Sequence, residues 1–165
     1  MLGFLFGIIY ANLGSKDMIM YSGILSDSFF NQYVQMQVDP KEYIWYVLEM
    51  RLLPFGMIAA LGCIKRKRIV AVLTLVWTGF LGGMMMSLAV LKMGVKGIIL
   101  CLIALIPHMI FYIASYVILL WYLYTWPKSQ WNGTKTVSML LFLVVGILLE
   151  TYVNPGLMQA FIRTL

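Results

Sequence analysis

Apolar residues in this chain run in long blocks, with neither the alternation of a half-buried strand nor the 3.6-residue stripe of a soluble surface helix. The blocks cover residues 1–13, 43–64, 69–91, 97–124 and 137–154. A helix needs roughly 20 apolar residues to cross ~30 Å of hydrocarbon at ~1.5 Å per residue. The short alternating segments of a transmembrane barrel are absent from the sequence, so each crossing must be a helix that satisfies its own backbone. The pattern predicts an all-α, polytopic transmembrane bundle of about five spans, forming a single domain over 1–165. The first block, about 20 Å long as a helix, is short for a span, and the chain is expected either to begin upstream of Met1 or to thin the bilayer around it. In the fourth block Pro107 is the predicted kink site, and Pro155-Gly156 is predicted to stop the fifth. The tail 157–165 reads as a weakly amphipathic stub.

Residues 14–42 are the one long polar stretch. Within it Leu25, Phe29, Tyr33 and Met36 recur at helical spacing. They predict a short amphipathic helix lying on the membrane or on the protein itself. Val38-Asp39-Pro40 is the predicted stop of that helix.

Composition strengthens the membrane reading. Of 165 residues 62% are hydrophobic and 11% charged, under half the roughly one quarter that a soluble domain carries. The net charge of +6 rests on scattered cations and one dense run, Lys65-Arg66-Lys67-Arg68. Between two apolar blocks such a run acts as a topology determinant, so no nucleic-acid partner is predicted. Placing it in the cytoplasm puts the N-terminus inside, 14–42 and 92–96 outside, 125–136 inside and the C-terminus outside. The count is then six Lys/Arg inside against five outside, so the bias comes from the cluster. Tyr43, Trp45 and Tyr46 at one end, and Trp121, Tyr122, Tyr124, Trp126 and Trp131 at another, have the character of interfacial aromatic belts. Residues 1–13 lack the basic start and cleavage site of a signal peptide.

Charges inside the blocks are the candidates for function. Glu150 lies about 20 Å into the fifth block, where a carboxylate must face protein, be paired or be protonated. Glu49 and Arg51 enter the second block from the outer side and reach a matching depth. An Arg51–Glu150 contact between spans is one expectation, and snorkelling of Glu49 and Arg51 to the interface is the other. His108, after Pro107, is read as a buried neutral histidine bonded to a neighbouring helix, with a proton relay as the alternative. Gly79, Gly83 and Ser87 form a small-xxx-small face for close helix packing, and the adjacent Gly82 is expected to widen it. Cys63 and Cys101 sit in apolar segments as small hydrophobes. No HExxH, Gly-x-Ser-x-Gly, CxxC or phosphate loop occurs, and all three Asp fall in 14–42. No enzymatic activity, cofactor or metal site is predicted.

Three segments, in order, resemble the stage II sporulation protein M family of bacterial membrane proteins. Gly7-Ile8-Ile9-Tyr10-Ala11-Asn12 is similar to the turn that ends the family's first span. Gly79 to Gly83, Gly97 and Leu105-Ile106-Pro107-His108 follow the order of its glycine-rich span and Pro-His site. Leu149-Glu150-Thr151-Tyr152-Val153-Asn154-Pro155-Gly156-Leu157-Met158 resembles its closing acidic–aromatic–proline segment, the most specific match. The family's basic lead before the first span has no counterpart here, and Met109-Ile110-Phe111-Tyr112 differs from its sequence after the Pro-His site.

The resemblance implies an integral membrane scaffold of endospore formation. It would anchor and localise peptidoglycan-remodelling enzymes, stage II sporulation proteins D and P, as the forespore is engulfed. It also implies a multi-pass place in the cell membrane, at the septal or engulfing membrane of a sporulating cell. Membrane lipid and a second copy of the chain are the further candidate partners. The alternative is a small permease or a membrane subunit of a transporter, which needs a polar path through the midplane, where His108 lies.

Overall fold

The computed structural model describes residues 1–14, 21, 25–35, 39–62 and 66–164, and among them every regular element is a helix. They are α1 (Leu2–Leu13), α2 (Asp27–Gln35), α3 (Pro40–Leu61), α4 (Lys67–Met93), α5 (Val95–Thr125) and α6 (Gly133–Leu148), then a π-helical turn Leu149–Val153 that runs into α7 (Asn154–Ile162). Four stretches, Pro40–Leu61, Lys67–Met93, Val95–Thr125 and Gly133–Ile162, are long and apolar enough to cross a membrane. The protein is therefore an all-α, membrane-embedded chain. The remaining predicted crossing, 1–13, forms an apolar helix of 12 residues, about 18 Å, which falls short of the hydrocarbon thickness.

Local chemistry sets the helix ends. Asp39, extended at φ −70°, accepts a hydrogen bond from the Lys41 amide at 2.9 Å, with Pro40 in the first turn and Glu42 beside the positive end of the dipole. Asp39-Pro40 thus opens α3, where the sequence predicted Val38-Asp39-Pro40 to close the loop helix, and Val38 lies outside the described residues; proline suits a first turn, whose amides have no helical acceptor. Asn132 caps α6 in the same way, accepting from the Lys135 amide at 3.1 Å. Between α4 and α5 the predicted outer segment 92–96 contracts to Gly94, whose φ of +59° allows a reversal within one residue.

The predicted stop at Pro155-Gly156 does not occur. The backbone has already widened into the π-helical turn, where the Asn154 amide donates to the Leu149 carbonyl across five residues. A wider turn makes room for the Pro155 ring, which would clash in a regular α-helix, so α7 carries on to Ile162. Pro107 and Pro54 also lie within unbroken helices.

The chain divides into two units, and α4 and α5 each contribute to both. The first comprises Met1–Gln37, Leu75–Leu105 and Gly156–Leu165. In it α1 lies against α4 with backbone touching backbone. A Cβ at Gly3 would strike the Val76 carbonyl, one at Gly7 the Phe80 carbonyl, and one at Gly83 the Phe4 carbonyl. Lipid tails are as apolar as leucine, so this contact is held by close packing and not by exclusion of water. The small-xxx-small face predicted at Gly79 and Gly83 therefore receives α1, and Ser87, one turn further, is buried. Gly82 faces open space, because one residue turns the helix by ~100° away from the contact. In the same unit Phe30 of α2 is buried with Leu100 and Ile162, and Tyr33 packs beside them. Of the predicted face, Leu25 and Tyr33 pack against this cluster, whereas Phe29 is exposed with Phe30 covered in its place, and Met36 lies outside the described residues.

The second unit comprises Val38–Thr74 and Ile106–Pro155. Its core joins Val47 and Phe55 of α3, Ala71 of α4, Leu119 and Leu123 of α5, and Leu143 of α6.

Candidate functional site

Three helical faces converge in the second unit. On α3 the face is Val47, Arg51 and Phe55, each four residues from the next. On α5, His108, Tyr112, Ser115, Leu119 and Leu123 are buried along one stripe, and on the last helix, the continuous run of α6, the π-helical turn and α7, Met139, Leu143, Gly146 and Glu150 match it. Every step is three or four residues, the repeat that keeps side chains on one side of a helix. Most of these positions are apolar, and the polar ones gather at one level.

Glu150 is the centre of that level. Arg51 grips it with two bonds, Nε to Oε2 at 2.9 Å and Nη2 to Oε1 at 2.5 Å. The two parallel bonds match the planar guanidinium to the carboxylate fork. The Tyr112 hydroxyl donates to Oε2 at 2.6 Å. The Arg51 guanidinium also lies over the Tyr112 ring, 4.9 Å from its centroid, close enough for a cation–π attraction. Gly146, one turn before Glu150, lets the Tyr112 ring approach the helix axis: a Cβ there would stand 2.7 Å from a ring carbon. Further along, the Ser115 hydroxyl donates to the Met139 carbonyl at 3.0 Å. One carboxylate thus ties α3, α5 and the last helix together, and it does so inside the π-helical turn.

His108 borders the cluster without closing it. Its Nε2 stands 4.0 Å from Glu150 Oε1, beyond hydrogen-bond length. Its ring meets Tyr112 edge-on at 5.7 Å. Nδ1 is buried and, like Oδ1 of Asn154, has no hydrogen-bond partner among the described residues. Among the described residues, the expected hydrogen bond from His108 to a neighbouring helix is not made: Nε2 stands too far from the nearest carboxylate oxygen, and Nδ1 has no partner.

The predicted residues separate into groups. Arg51, Glu150 and His108 meet here, so Arg51 pairs across the helices, leaving about a third of its side chain exposed. Glu49 does not join them: two residues from Arg51 it points about 200° round α3 and is exposed. Pro107 adjoins the site in sequence, and Pro155 lies beyond it in α7. Gly79, Gly83 and Ser87 belong to the other unit. Tyr112 and Gly146 were not singled out from sequence, although each stands four residues from a residue that was, Tyr112 from His108 and Gly146 from Glu150.

The carboxylate receives its bonds from a guanidinium and a phenol, an arrangement that fixes helices rather than freeing a base. Among the described residues no group of three or more His, Cys, Asp or Glu is placed to share a metal ion. No family model, curated protein or solved structure matches the chain.

Proposed function

We propose that this protein is a multi-pass scaffold of the bacterial cell membrane that holds peptidoglycan-remodelling enzymes in place during endospore formation. The observation that carries the reading is the Arg51–Glu150–Tyr112 cluster, which joins three helices through the most buried carboxylate of the second unit. A scaffold must present a constant surface to its partners, and a bidentate ion pair with a phenol across it restricts helix rotation and sliding. The resemblance of Leu149 to Met158 to the closing segment of the stage II sporulation protein M family supplies the biological setting. In this reading the basic run 65–68 is cytoplasmic and the C-terminus is outside. Residues 14–42 and the outer helix ends then face the partners, stage II sporulation proteins D and P.

The test is co-purification from a sporulating cell. Tagged protein should recover wall hydrolases, and Glu150→Gln should lower that recovery while the protein still reaches the membrane. Recovery of no hydrolase from engulfing cells sinks the scaffold.

A second reading, a small permease or transporter subunit, is favoured by His108 Nδ1 and Asn154 Oδ1, buried polar atoms without a described partner, on residues next to or four along from the site. Such atoms are the material of a polar path. Substrate-dependent flux through liposomes containing the purified chain alone would decide for it.

A further inference from the structure

The basic run is more than a topology signal. At that end of the second unit, residues 62–74 and 121–136 contain no Asp or Glu, while Asp39 and Glu42 lie at the other end of α3. Arg68 turns back onto the end of α5, its Nε donating to the Tyr124 carbonyl at 3.0 Å and Nη2 to the Trp126 carbonyl at 3.3 Å. The Tyr124 carbonyl lies in the last turn of α5 and the Trp126 carbonyl just past its end, so the guanidinium caps that end. Lys67 is held as well: Nζ donates to the Tyr122 hydroxyl at 3.0 Å and sits 3.8 Å from the centroid of the Trp126 ring. Both cations are thereby positioned, and each keeps N–H donors beyond these bonds, since guanidinium has five and ammonium three.

Two clefts open beside them, each of about 460 Å³. One is lined by Arg68, Lys128, Thr125 and Ser129 between the rings of Trp121 and Tyr124. The other is lined by Arg66, Lys67 and Arg68 against Trp126 and Pro127. Their volume lies within the range of about 300–1,000 Å³ typical of small-ligand sites. Each combines positioned cations with aromatic walls, the first adds the hydroxyls of Thr125 and Ser129, and the described lining residues include no carboxylate. Phosphate oxygens suit the cations, and the exposed faces of Trp121 and Tyr124 suit a glycerol backbone and the first methylenes of acyl chains.

We infer that these clefts bind the headgroups of anionic phospholipid from the leaflet on that side. Arg68, shared by both, is the anchor, and Arg66 and Lys128 complete the charge on either flank. The position at the ends of membrane-crossing helices favours lipid over soluble phosphate, because aromatic walls flank the cations where the interface lies.

The experiment is native mass spectrometry of the purified full chain, released from detergent carrying equal amounts of phosphatidylglycerol and phosphatidylcholine with matched acyl chains. The wild-type chain should retain phosphatidylglycerol with about a tenfold preference. Arg66→Gln with Lys128→Gln should cut that preference severalfold while helix content by circular dichroism stays unchanged, since both side chains are exposed. Lys41→Gln with Arg163→Gln removes the same charge elsewhere and should leave the preference intact. Equal retention of the two lipids, or a preference that survives Arg66→Gln with Lys128→Gln, overturns the site. So does an equal loss in the charge-matched control, which would leave net charge as the cause. Displacement of phosphatidylglycerol by inorganic phosphate at similar concentration would assign the clefts to free phosphate and overturn the lipid assignment.

Discussion

Within the first unit, α1 and α4 meet through glycines, with the Gly3, Gly7 and Gly83 positions set against main-chain carbonyls and hardly a side chain between. Within the second, α3, α5 and the last helix are joined by a carboxylate, a guanidinium and a phenol at bond lengths of 2.5–2.9 Å. Both arrangements answer the same physical problem. Lipid offers no hydrophobic gain for bringing two apolar helices together, so association needs either very close packing or polar bonds. The two answers should fail differently. A glycine contact is broken by adding volume and is indifferent to charge, whereas the ion pair is broken by neutralising a charge.

The largest effect should come from the polar side. Glu150→Gln leaves Arg51 facing a neutral amide in a half-buried place. Breaking a buried pair costs about 3–5 kcal/mol, and the low end applies because Arg51 keeps some exposure. Unfolding in mixed micelles, followed by circular dichroism, should show a loss of about 3 kcal/mol. An unchanged midpoint would mean that Arg51 is served by the interface instead.

Next in size is the glycine contact. Gly83→Leu places a side chain where the Phe4 carbonyl stands and should cost about 2 kcal/mol, within the range for overpacking. Its signature is local: hydrogen exchange should accelerate on the order of tenfold in the amides of α1. Gly82→Leu, one residue away and open, should leave exchange as it was. If both substitutions act alike, the contact is not what holds α1.

Tyr112→Phe removes one hydroxyl and keeps the ring. Hydrogen bonds between membrane helices are worth about 0.6 kcal/mol on average and about 1.7 at most, so the expected loss is about 1 kcal/mol in the same unfolding assay. A loss as large as that of Glu150→Gln would make the phenol, not the guanidinium, the principal partner.

The contrast also explains what the sequence could disclose. Long apolar blocks give the four crossing helices at once, because length and composition alone decide them. Arg51 and Glu150 were legible as partners because charges in apolar blocks are few and depth follows from helical rise. Tyr112 was not, since a tyrosine in an aromatic-rich span has no mark of its role until its neighbour four residues away is known to be in the site. The Gly3, Gly7 and Ala11 spacing on α1 was present in the sequence as the counterpart of Gly79 and Gly83, yet two such runs do not say that they meet. The π-helical turn was hidden as well. Pro155 reads as a stop under α-helical rules, and a local change from i−4 to i−5 bonding suspends them. On the loop helix, the choice between Phe29 and Phe30 turned on ~100° of rotation, which only the Leu100 and Ile162 side chains settle.

The claim on which the account rests is that Arg51 and Glu150 act as one unit. A double-mutant cycle measures this: Arg51→Met, Glu150→Met and the two together, each unfolded in mixed micelles. The pair predicts that the double variant is clearly more stable than the sum of the single losses allows, with a coupling of about 1.5 kcal/mol or more, because neither variant residue is left facing an unpaired charge. Losses that add within about 0.3–0.5 kcal/mol would show two independent side chains and contradict the lock.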